Sequence, residues 1–174
     1  MQDIINPIGQ YQHIDYSFNL LQEYLSVIKE TPAQVEQSVQ SLEDHQLKLP
    51  YREGGWNIRQ IVHHLADSHM NAYIRCKLAM TEDNPVIKPY DQDAWALLPD
   101  NELVSIDVSI KLLSALHERW HAFFSQLKEA DWNKTVMHPE YNMQMSLWFI
   151  LGKYAWHGKH HTAQINALRS LKGW

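Results

Sequence analysis

Residues 146–171, SLWFILGKYAWHGKHHTAQINALRSL, constrain the fold of this chain more than any other stretch. At about 100° per residue, Leu147, Ile150, Tyr154, His157, His161, Ile165 and Leu168 fall within about 60° of one line. An apolar stripe of that length predicts a helix of about seven turns lying lengthwise against other helices. Two positions of the stripe are histidines. Spaced four residues apart, His157 and His161 stack their rings on one face, about 6 Å apart.

Other segments repeat the helical period. SFNLLQEYLSVIKE (17–30) is followed by Thr31-Pro32, which reads either as the cap of a second helix or as a kink in one long helix. After Gly54-Gly55, Asn57 and Gln60 form a capping box ahead of a helix over about 57–80. DVSIKLLSALHERWHAFFSQL (107–127) is a further helix, with Leu113, Leu116, Trp120, Phe123 and Leu127 on one face. HPEYNMQ reads as a turn, and no segment alternates well enough to predict a strand. Residues 1–15 read as an irregular arm, so one helical domain spans 1–174. Four amphipathic helices imply an all-α four-helix bundle. The connection between the second and third helices contains three prolines. It is long enough to let those helices run parallel and to border a site.

On the 57–80 helix the core stripe is Ile58, Ile61, Leu65, Ala72, Cys76 and Ala79. Gln60, His64, Ser68, Asn71 and Arg75 run beside it as a polar row suited to a pocket wall. Three neutral imidazoles meeting from two helices suit a borderline divalent metal and leave coordination positions open. Burial favours the neutral ring that can ligate. A core histidine is also ordinarily satisfied by a backbone carbonyl, and periodicity alone does not bring His64 to the His157/His161 pair. HERWH (117–121) matches H-E-x-x-H, in which His117 and His121 bind zinc and Glu118 is the base. Both histidines are expected off the Leu116/Trp120 stripe and on the outside, and only Glu140 is available as a distant third ligand. That reading is set aside. Cys76 sits among core positions and reads as packing.

Composition narrows the function. A formal charge of −5 argues against nucleic acid or an anionic membrane as partner. A single cysteine precludes an intrachain disulfide. No apolar run approaches a membrane span. The first residues lack the basic and apolar regions of a secretory signal, so the expected compartment is the cytoplasm.

GGWNIRQIVHHLADSHMN places a tryptophan eight residues before His64, and WHGKHHTAQI contains H-x-x-x-H-x-x-Q, here His157, His161 and Gln164. Together these resemble the DinB-like metalloproteins over about residues 5–174. Within them, YREGGW…HHLADSHMN…KPYD resembles the YfiT branch, described as metal-dependent hydrolases and related to bacillithiol S-transferases. The resemblance implies an up-down-down-up bundle and a homodimer. It also implies one zinc or nickel ion per chain, held by His64, His157 and His161.

Two chemistries then fit a small-molecule substrate. In a hydrolase the ion activates water, with Asp67 or Asp91 as candidate base. In a thiol S-transferase it activates a low-molecular-weight thiol such as bacillithiol, with Gln60, Ser68, Asn71, Arg75 and Gln164 as candidate contacts and Arg75 as the best carboxylate partner. Tyr90 and Trp95, in the long connection, are candidate covers for the pocket. A metal- or ligand-binding stress protein without turnover is the non-enzymatic alternative.

Overall fold

In a computed structural model the chain is described over residues 4–174. Helix α1, Phe18–Val39, starts where the Ser17 side chain accepts from the Leu20 amide, and it runs through Pro32 without breaking. The segment expected to be either two helices or one is therefore one. A short turn, α2 (Asp44–Leu47), leads to α3 (Ile58–Thr81). The capping box at the head of α3 forms as expected: the Asn57 side chain accepts from the Gln60 amide at 2.8 Å, and the Gln60 side chain accepts from the Asn57 amide at 2.9 Å.

The long connection folds into two short helices, α4 (Gln92–Ala96) and α5 (Asp100–Leu103), before α6 (Ile106–Ser125). A 3-10 turn, Glu129–Asn133, precedes α7, Leu147–Lys172, which ends at Gly173 in the left-handed region at φ 72°. The N-terminal arm is irregular over residues 4–15. It is strapped to α7, where the Trp148 indole donates to the Ile14 carbonyl at 2.8 Å. Residues 1–3 of the expected arm lie outside the described residues.

The expectation of no strands fails at one place. The segment read as a turn is a hairpin of β1 (Thr135–His138) and β2 (Met143–Ser146), antiparallel, with His138 opposite Met143. Asn142 makes its tight return at φ 45°. The Met137 carbonyl and amide also bond to Ile87 and Pro85, which pins the connection after α3 to the hairpin. Strands of four residues are too short to show their alternation in the sequence.

Two apolar clusters give the topology. One gathers Val35 and Val39 from the end of α1, Ile58–Leu65 from the start of α3, Ile106–Leu113 from the start of α6, and Ile165 and Leu168 from the end of α7. The other gathers the opposite ends: Leu21–Ile28, Ala72–Ala79, Leu116–Phe124 and Leu147–Leu151. Helices α1 and α7 therefore run one way and α3 and α6 the other, an up-down-down-up four-helix bundle. Helix α7 lies very close to α1, since a Cβ on Gly158 would come within 2.6 Å of the Thr31 methyl.

Candidate metal centre and adjoining cavity

Between the two apolar clusters the core is polar. His64 reaches in from α3, and His157 and His161 from α7. One nitrogen from each of the three rings lies within 4.8 Å of the others. The Nε2 atoms of His64 and His157 are 3.3 Å apart. A tetrahedral ion with bonds of about 2.0–2.1 Å needs ligand nitrogens about 3.3 Å apart, so this edge has the right length for a metal. Burial pushes His64 down to about 4 and holds His157 and His161 well below the ordinary imidazole range. The rings are neutral at pH 7 and each keeps a bare nitrogen, as a borderline metal requires. Trp56 packs on His64 with ring centroids 4.4 Å apart and stacks beyond it on His161.

Each of the trio's two histidine rings on α7 is held from behind. The Nδ1 of His161 meets Gln164 Oε1 at 2.8 Å, and the Gln164 amide donates to the Ile5 carbonyl at 2.9 Å. Because that carbonyl can only accept, the orientation of the amide is fixed, and His161 Nδ1 must carry hydrogen. His161 is left with a bare Nε2. The other ring, His157, has Nδ1 3.0 Å from His69 Nε2. In turn His69 Nδ1 is 2.7 Å from His117 Nε2, and His117 Nδ1 is 2.5 Å from the Ile28 carbonyl oxygen.

This arrangement corrects the placement of the HERWH segment. His117 is buried, at 1 % exposure, rather than on the outside. The buried face of α6 is Leu113, Leu116, His117, Trp120 and Phe124, rotated toward His117 from the expected Leu116/Trp120/Phe123 line. Glu118 faces solvent, and His121 lines a separate cleft beside Tyr16 and Phe18. The H-E-x-x-H residues do not converge. His69 escaped the sequence reading altogether. It fills the gap between Leu65 and Ala72 in the core stripe of α3, the same signal that singled out His157 and His161.

A cavity of about 450 Å³ opens beside His157. Clefts of 510–650 Å³ elsewhere on the surface contain no member of the histidine trio. Ser68, Arg75, Tyr90, His138 and Lys153 line the cavity together with His157. Arg75 is 9 % exposed and has no carboxylate ion-pair partner among the described residues. Burial pushes the Tyr90 hydroxyl up to about 12 and raises that of Tyr154 as well, so both stay protonated donors. The indole of Trp95 packs on Tyr90 with centroids 4.4 Å apart. His138 arrives on the hairpin, which sequence reasoning missed.

The remaining candidates take up other posts. Gln60 caps α3 and donates to the Ala96 carbonyl at 2.9 Å. Asn71 donates to the Asp67 carbonyl at 2.9 Å. Asp91 caps α4, accepting from the Asp93 and Ala94 amides. Asp67 is partly buried, which raises its carboxyl pKa. Cys76 is fully buried, which pushes its thiol up to about 12 and makes it packing rather than nucleophile.

Comparison with known proteins agrees with this architecture. The DinB superfamily profile matches residues 28–165. A protein of Bacillus mycoides (strain KBAB4), named "Putative metal-dependent hydrolase", is 45% identical over the full length of both chains. One of the same name from Oceanobacillus iheyensis is 47% identical over 97% of each. The solved structure of YfiT from Bacillus subtilis, described as "a probable metal-dependent hydrolase with an unusual four-helix bundle topology", superposes with a TM-score of 0.96. It is 42% identical and the match covers 99% of both chains. Matched in sequence along its whole length and in fold by such relatives, this chain belongs to the DinB superfamily.

Proposed function

We propose that this chain is a metal-dependent hydrolase of small molecules, with His64, His157 and His161 as the ligands of one divalent ion, zinc or nickel. The observation that carries the reading is the meeting of three neutral, buried imidazoles, two of them at 3.3 Å, with one of the three, His157, on the wall of a cavity. An ion held by three histidines supplies a Lewis acid and acidifies a water molecule toward neutral pH. The chain's own residues do the rest. Arg75, a buried cation without a carboxylate partner among the described residues, anchors an anionic group of the substrate. Ser68 and Tyr90 offer hydroxyls beside it. Trp56 packs on His64 and His161 and covers those two rings.

One observation favours a second reading. Asp91 is tied into the cap of α4, and no carboxylate hydrogen-bonds to the histidine trio among the described residues. A metal-activated thiol needs no dedicated base, which favours a thiol S-transferase that uses the same Arg75 anchor. A panel of esters and amides, run beside low-molecular-weight thiols with monochlorobimane, separates the two. Metal-dependent cleavage without thiol supports the hydrolase. Conjugation requiring both metal and thiol supports the transferase. Metal binding without either activity removes both and leaves a binding protein. His64→Ala, His157→Ala and His161→Ala are each expected to lose bound metal, and His121→Ala to keep it.

A further inference from the structure

We infer that His69 and His117 are positioning residues which, through a carbonyl freed by Pro32, lock His157 into the one tautomer that presents Nε2 to a metal. The inference rests on the metal reading above only for the final step, the use made of that nitrogen.

The chain of rings begins at Pro32, inside α1. Residue 32 of a helix normally donates its amide to the carbonyl of residue 28, and proline has no amide hydrogen. The Ile28 carbonyl is thus left without its helical partner, on a residue that is fully buried. A buried carbonyl needs a donor. His117 supplies it from α6, with Nδ1 2.5 Å away.

The direction of the whole chain of rings follows from that one oxygen. A carbonyl only accepts, so His117 Nδ1 carries hydrogen and, in a neutral ring, its Nε2 is bare. His69 Nδ1, 2.7 Å from that bare nitrogen, must donate, which leaves His69 Nε2 bare. His157 Nδ1, 3.0 Å from it, must donate in turn. His157 Nε2 is left bare and lies 3.3 Å from His64 Nε2, inside the trio. Reversing the chain would aim a lone pair at the Ile28 oxygen and a hydrogen into the metal position.

What Gln164 does for His161 with one amide and the Ile5 carbonyl, His69 and His117 do for His157 with two rings and the Ile28 carbonyl. The path Ile28–His117–His69–His157 touches α1, α6, α3 and α7 in turn, so all four long helices contribute to placing one ligand. Partners behind a ligating histidine fix its tautomer and ring orientation, and losing them costs about 10–100-fold in metal affinity.

The test reads tautomers directly. In the metal-free, full-length protein, two-bond 15N–1H correlation spectra are expected to show His157, His69 and His117 all protonated on Nδ1. This needs no substitution, so a variant that fails to fold cannot obscure it. His157 protonated on Nε2 in that spectrum would overturn the inference. His117→Leu is then expected to mix the His157 tautomers and to weaken zinc or nickel binding about 10–100-fold in chelator competition. His117→Gln can donate to Ile28 and accept from His69, and is expected to restore both readouts. Unchanged metal affinity in His117→Leu, or no rescue by glutamine, would also overturn it. The two readings fail separately. Tight metal binding with the wrong tautomer removes only the relay. The expected tautomers with no affinity for zinc or nickel remove only the metal centre.

Discussion

A buried imidazole without a counter-charge is stable only while neutral, and this bundle holds several. Burial takes His117 down to about 4, partly offset by its bond to the Ile28 carbonyl, and takes His64 to about 4 as well. In the unfolded chain the same rings titrate near 6.5. Between those limits the unfolded state binds more protons, so stability falls as pH drops from about 6.5 toward 4 and is fully present above that window. Each such ring contributes on the order of 3 kcal/mol. Urea unfolding of the metal-free protein at pH 8, 6 and 4.5 is expected to show a falling midpoint, and a flat profile would contradict the neutral layer. At the cavity, Arg75→Gln is expected to lower kcat/KM for carboxylate-bearing substrates about 10–100-fold, the scale of a lost charge-assisted pair, while metal content stays unchanged. Much of this layer was legible: helical spacing put His157 and His161 on the core face, and the W-x7-H spacing from Trp56, through the family resemblance, added His64. His117 was not, because the buried face of α6 is centred about 45° round the helix from where Leu116 and Trp120 alone would put it. His69 was passed over as a gap between Leu65 and Ala72, although its position in the stripe carried the same information as that of His157.

At the scale of elements, the contact between α1 and α7 is set by an absent side chain. Gly158 follows His157 and faces Thr31, whose hydroxyl is turned back to the Val27 carbonyl at 2.7 Å and whose methyl fills the space a Cβ would need. Gly158→Ala must push the helices apart. It is expected to cost about 1–3 kcal/mol, the usual penalty of overpacking, seen as a lower urea midpoint with weakened metal binding. Asn57→Ala removes the cap of α3 and is expected to cost about 1 kcal/mol without changing metal content, because His64 lies two turns further on. The α3 cap and the Gly173 stop of α7 were both readable, since capping depends on local residue chemistry. The hairpin was not. Its register is pinned by Pro85 and Ile87, some fifty residues upstream, a tertiary pairing that no local pattern announces.

On the scale of the whole molecule, the proposed ligands sit on α3 and α7, two helices that otherwise meet through the apolar clusters. An ion bound only by the folded state adds about 2.7 kcal/mol at a hundred-fold excess over its dissociation constant. Chelation is therefore expected to lower the melting temperature by roughly 5–10 °C for a chain of this size, with zinc or nickel restoring it. The same experiment on His157→Ala is expected to show no shift. The up-down-down-up arrangement brings one further consequence. Because the hydrophobic mass is divided by a belt of imidazoles, the two ends of the bundle are separate dry compartments riveted at the waist. Amide exchange in the metal-free protein is then expected to show two zones of slow protons, around Ile61 and Leu113 at one pole and around Cys76 and Leu151 at the other. The girdle between them would breathe sooner, and loading the ion would quiet it first.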